Sequence, residues 1–133
     1  MNWWQTVNLQ RPRNGWSGPY LESSGLFETS RPIHPEEFFS PSLLLYSFRK
    51  TAPGSWRNAF GLRVAGSPRL DYDQWAGALR SLIAKLDQLG DDVTKAYVSV
   101  TTVNSPLHQF RLRIEEIRLL AYHRIRLGTT IAG

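Results

Sequence analysis

The 133-residue chain contains no cysteine. That excludes a disulfide scaffold, a Cys-ligated zinc site, an iron–sulfur cluster and thiol catalysis. Long apolar runs are missing as well. The longest uninterrupted one, Leu43-Leu44-Leu45-Tyr46, falls far short of the roughly 20 residues that cross a bilayer, so no membrane contact is expected. The opening residues carry no basic-then-apolar leader, which sets the expectation of synthesis in the cytoplasm. Lysine is scarce, with three against thirteen arginines, and the formal charge is +5. Hydrophobic residues make up 41% and charged ones 20%, a balance that suits one folded domain rather than a wholly disordered chain. There is no internal repeat and no low-complexity tract.

Signatures of chemistry are absent too. The span Gly61-Leu62-Arg63-Val64-Ala65-Gly66 has the outer glycines of a phosphate loop, but Ser67-Pro68 stands where Lys and Ser/Thr are needed. Gly15-Trp16-Ser17-Gly18 lacks the spacing and the preceding strand of a nucleophile elbow. His34, His108 and His123 share no metal-ligand spacing. Asp71 and Asp73 sit at a helix start, where acids stabilise the dipole, and Asp91-Asp92 lacks the pattern of a calcium loop. Glu36-Glu37 and Glu115-Glu116 are adjacent pairs; Arg111, Arg113 and Arg118 lie near the second at helical spacing, the ordinary build of an ion-pair face. No cofactor, metal or catalytic residue is assigned, and a non-enzyme is expected.

What is present divides unevenly. Pro12, Pro19, Pro32, Pro35 and Pro41 fall within the first 41 residues together with Gly15, Gly18 and Gly25. Proline fixes φ, removes backbone donors and biases each preceding residue to extended geometry. Residues 1–41 therefore predict an extended arm, with at most one helical turn where Pro35 can take a first helical position. Yet the arm carries Trp3, Trp4, Trp16, Tyr20, Phe27, Phe38 and Phe39, each burying on the order of 150–250 Å² when it finds a partner. A segment without periodicity cannot bury these rings as a helix or sheet of its own, so they are expected on a neighbouring surface.

Residues 42–133 predict a compact α+β domain. Strand-type runs at 43–49 and 59–64 flank a Pro53-Gly54 turn, the pattern of a β-hairpin. A helix over about 72–89 has Asp71 to cap it, Gln74 to complete a capping box and Gly90 to end it. Trp75, Leu79, Leu82, Ile83, Leu86 and Leu89 form its apolar stripe. A strand follows at about 94–103, where Ala96, Val98 and Val100 alternate with Tyr97, Ser99 and Thr101. The last segment, 106–127, is expected as a helix with Ser105 as cap, Pro106 first and Gly128 ending it; strands are the alternative. As a helix it gathers Leu107, Phe110, Ile114, Ile117, Ala121 and Ile125 within roughly 80° of arc. Leu112 and Leu119 lie off that stripe and imply a second contact surface.

Aromatics, arginines and a two-sided last element without site chemistry fit a non-enzymatic structural or assembly subunit of a homo- or hetero-oligomer. Its partners would be other protein subunits of a large complex, held through Trp3, Trp4, Trp16, Tyr20, Phe27, Phe38, Phe39, Arg11, Arg13, Leu112 and Leu119. Small virion components of tailed phages, in tail, baseplate or neck, share this build; a phage-derived chain would end in the virion. The alternative is an arginine-rich nucleic-acid-associated module, since basic residues interleaved with aromatics also describe a single-strand surface.

Overall fold

The computed structural model describes residues 19–38, 40–104 and 110–132. Five strands form a single sheet: β1 Tyr20–Thr29, β2 Leu43–Ala52, β3 Ser55–Leu62, β4 Val93–Val103 and β5 Arg126–Ala132. Their spatial order is β2-β3-β1-β4-β5. All neighbours run antiparallel except β4 and β5, which are parallel and joined through a helical crossover. The helices are α1 Pro35–Phe38, α2 Tyr72–Leu89 and α3 Ile114–Tyr122.

Local sequence explains much of this. Gly54, with φ of 74°, makes the β2–β3 turn at no steric cost. The Asp71 side chain accepts from the Gln74 N–H at 2.8 Å, and the Gln74 side chain accepts from the Asp71 N–H at 3.0 Å, the reciprocal cap that Asp and Gln three residues apart predict. The stripe of α2 faces inward as its spacing implies, with Trp75, Leu79, Leu82, Ile83, Leu86 and Leu89 all buried. Beneath it lie Leu21, Phe27, Phe60, Leu62, Val98 and Val100 on one face of the sheet.

The arm expected over 1–41 is corrected from residue 20 onwards. Tyr20–Thr29 is β1, the middle strand, pairing with β3 on one side and β4 on the other. Tyr20, Phe27 and Phe38, expected on a partner, are instead buried in their own domain. Phe27, Phe38 and Phe60 form a ring cluster with centroids 4.8–6.1 Å apart, and the Arg69 guanidinium covers Tyr20 at 4.8 Å. A ring shielded in this way cannot reach a neighbour without unfolding the sheet. Beyond β1, Arg31 donates to Glu37 and Asp92, both at 2.8 Å, tying α1 to the turn before β4. The Arg31 guanidinium, together with the His34 N–H, holds the Glu37 carboxyl at about 2. Trp3, Trp4, Trp16, Arg11, Arg13 and Phe39 lie outside the described residues, as do Ser105 and Pro106.

The final segment is helical as expected but shorter, and the strand that follows lies almost wholly beyond it. The helix is shorter than 106–127, covering Ile114–Tyr122, and its N-cap Arg113 makes no side-chain capping bond. The chain then breaks at His123–Ile125, with Arg124 in the left-handed region at φ 56°. It continues as β5, so Gly128 lies inside a strand rather than ending a helix.

Candidate interaction surfaces

Strand alternation gives the sheet two unlike faces. One is covered by α2 and α3. On the other, Glu22, Ser24 and Leu26 of β1, Leu44 and Tyr46 of β2, Arg57 of β3, and Lys95 and Tyr97 of β4 are all exposed. Two tyrosines on this open face reach over neighbouring glycines. A Cβ built on Gly61 would meet the Tyr46 ring, and one built on Gly128 would meet the Tyr97 ring; only glycine leaves room for a ring to rest on the backbone there. Registry then fixes two neighbouring rows. Arg57, Glu28 and Lys95 stand side by side across β3, β1 and β4, followed by Leu26, Tyr97 and Arg126 across β1, β4 and β5. At this end of the face lies a hollow of about 540 Å³ lined by these residues and Arg124.

The two sheet edges also differ. In β2 the ladder to β3 is interrupted twice, between Leu45 and Ser47 and between Lys50 and Ala52, and Arg49 and Lys50 are exposed. Bulges and exposed cations are the usual devices that stop an edge from recruiting another strand. In β5 the ladder to β4 runs unbroken, and no charged residue stands between Leu127 and Ala132. Ile131 is 54% exposed. Next in sequence before this edge, α3 exposes Ile114 at 58% and Ile117 at 46%.

The orientation of α3 reverses the sequence expectation. Ile114, Ile117 and Ala121 belong to the stripe expected in the core, and all three are exposed. Leu112 and Leu119, expected to meet a partner, are half-buried against the core, and Leu120 is buried. The cause sits between α2 and α3. The Glu116 side chain is fully buried and accepts from the Tyr72 hydroxyl at 2.7 Å, Arg113 Nε at 2.9 Å and Arg80 Nη2 at 2.9 Å. Burial alone would push the Glu116 carboxyl up, but the donors outweigh it and the carboxyl lies below its usual range. Arg113 also bonds Asp73 at 2.9 Å, its guanidinium lies 4.5 Å from the Tyr72 ring centroid, and burial raises the Tyr72 hydroxyl. A carboxylate held ionised by such donors is a structural pin.

Sequence reasoning thus missed the open face and the edge left unpaired among the described residues, although one signal was legible. The run Leu127 to Ala132 is uncharged and contains two threonines and an isoleucine, a strand-type composition. Among the described residues no group of three or more metal-ligating side chains stands together, and no helix is long and apolar enough to cross a membrane. No protein-family model matches the chain, and neither a curated protein nor a solved structure matches it.

Proposed function

We propose that the chain is a non-enzymatic assembly subunit that binds neighbouring protein subunits through the β5 edge and the outward side of α3. The observation that carries this is the contrast between the two edges: β2 is bulged and carries Arg49 and Lys50, whereas β5 is regular and, after Arg126 at its start, uncharged from Leu127 to Ala132. Main-chain pairing at a free edge is a general mode of protein recognition. The exposed Ile114, Ile117 and Ile131 supply apolar anchors beside it.

The registry of this edge suits a second copy of the chain. Antiparallel self-pairing centred on Thr129 sets Arg126 opposite Ala132 of the other copy, so the cations lie at opposite ends. The same register sets Ile131 opposite Leu127, two apolar residues on one face. The N-terminal eighteen residues, with Trp3, Trp4 and Trp16, belong to this reading on composition alone. The setting it fits best is a small component of a virion, in the tail, baseplate or neck of a phage.

Native mass tests the proposal. Material purified from its source should run as a large complex, and Ile131→Lys or Ile117→Lys should release a folded monomer with an unchanged melting temperature. A lone monomer from the source, indifferent to both substitutions, overturns it.

A further inference from the structure

Apart from the β5 edge, the hollow on the open face has the make-up of a ligand site. Arg57, Lys95, Arg124 and Arg126 line it against one carboxylate, Glu28. That is a formal surplus of three charges, in a chain whose total is +5. Among the described residues none of these four cations belongs to an ion pair. The contrast is sharp with Arg31, Arg80 and Arg113, each of which is held by a carboxylate. Unpaired cations gathered in one concavity repel one another and raise the local concentration of anions.

Three further features narrow the ligand. First, three of the four cations are arginines, whose planar fork takes a phosphate bidentately. Second, Tyr97 stands in the middle of the group, paired with Leu26 on one side and Arg126 on the other. Its ring rests on Gly128, and the residue is 40% exposed. A ring backed by the sheet on one face presents the other to solvent as a stacking platform. Third, Arg124 sits at φ 56°, a conformation that non-glycine residues adopt only where the surroundings hold them in it. Its N–H donates to the Ala121 carbonyl at 3.1 Å, and the next N–H, of Ile125, to the Leu120 carbonyl at 2.9 Å. Both bonds brace the turn.

We infer that this hollow binds single-stranded nucleic acid, with Arg57, Lys95, Arg124 and Arg126 on phosphates and a base stacked on Tyr97. A duplex keeps its bases stacked internally and would leave the tyrosine idle. An acidic peptide would engage the cations and likewise leave the ring unused. Cations along a groove with an aromatic platform are the shared build of sequence-tolerant single-strand sites.

The test is fluorescence anisotropy of the full chain with a labelled 12-nucleotide oligo-dT, beside a poly-glutamate peptide of equal charge. Oligo-dT should bind tighter than the peptide. For three to four neutralised phosphates, its affinity should fall on the order of 20- to 50-fold between 50 and 200 mM salt. The double variant Arg57→Ala/Arg126→Ala should reduce that salt dependence to about three- to sevenfold. Tyr97→Leu keeps an apolar side chain but removes the stacking face, and should weaken binding about fivefold or more while the melting temperature holds. Four outcomes overturn the inference. These are equal or tighter binding of poly-glutamate, no binding of oligo-dT at low salt, indifference of the folded Tyr97→Leu variant, and loss of binding that follows Arg11→Ala/Arg13→Ala while the hollow variants bind as before.

Discussion

Helices α2 and α3 both carry an apolar stripe at helical spacing, and they turn it in opposite directions. In α2 the stripe from Trp75 to Leu89 faces the sheet. In α3 Ile114, Ile117 and Ala121 face solvent, while Glu116 and Leu120 face inward. The difference teaches that periodicity reports an amphipathic helix without choosing which side is covered. Apolar content on the two sides of the α3 segment is nearly matched, with Leu112, Leu119 and Leu120 against Ile114, Ile117 and Ala121. Hydrophobic burial, at about 25 cal/mol per Å², then discriminates weakly. Three charge-assisted hydrogen bonds to the buried Glu116 decide instead. The stripe left outside becomes available to a neighbour.

The comparison can be broken most decisively by truncation. The inward side of α2 rests on β1, where the Trp75 Nε1–H donates to Ser23 Oγ at 3.0 Å. Removing residues 1–41 should abolish cooperative thermal unfolding altogether. A cooperative transition in the shorter chain would mean that β1 is dispensable.

Next in size come matched truncations of the two stripes. Leu79→Ala in α2, at a position with no exposure, should cost about 3 kcal/mol in urea denaturation. Ile117→Ala in α3 should cost less than about 0.5 kcal/mol. Similar costs at the two sites would show that α3 buries the stripe we place outside.

Glu116→Ala should cost about 2–3 kcal/mol. This lies below the 3–5 kcal/mol common for breaking a buried pair, because Arg80 and Arg113 remain about half exposed and regain water. The pH dependence follows from the direction of the shift. The folded carboxyl lies below its ordinary value of 4.5, so its contribution is fully present above that value and is lost as pH falls through the lower folded value. The stability gap between the native chain and Glu116→Gln should therefore be constant above about pH 6 and shrink progressively as pH falls below 4.5. A gap that does not shrink on acidification would mean the side chain acts by shape rather than charge. Glu37, held at about 2, titrates in the same sense and is present in both proteins, so it cancels from the difference.

The smallest effect belongs to the caps. Asp71→Ala removes the side-chain acceptor of the Gln74 N–H at the start of α2, leaving the backbone N–H at position 71 to donate to Gln74, and should cost about 1 kcal/mol, seen as faster amide exchange in its first turn. Protection unchanged there would show that packing of Trp75 alone holds the helix end.

Where the sequence was legible, the information was local. The hairpin turn, the Asp71–Gln74 cap, the α2 stripe and the alternation of β4 each depend on residues within a few positions of one another. β1 was hidden because its inward phase reads Leu21, Ser23, Gly25, Phe27, Thr29, with polar and small residues at the centre. Ser23 tolerates burial because its hydroxyl donates to the Ser99 carbonyl at 2.7 Å and accepts from Trp75. Gly25 is needed because a Cβ there would meet the Phe60 ring and the Tyr97 backbone. Both reasons lie 35 or more positions away along the chain. The candidate surfaces were illegible for the same cause: Arg57, Lys95 and Arg126 converge only through strand registry.

By itself, then, the sequence determined the class of the domain, the capped helix over Tyr72–Leu89 and the strand that follows it. Spacing, turn chemistry and capping act over a few residues and require no knowledge of neighbours. Tertiary structure alone decided that the Pro-rich leader contributes the middle strand. It alone turned the last helix outward around Glu116 and, among the described residues, left one edge of the sheet unguarded. Those outcomes depend on which distant groups satisfy a buried hydroxyl, carboxylate or glycine gap, and hydrophobic periodicity carries no record of such pairings.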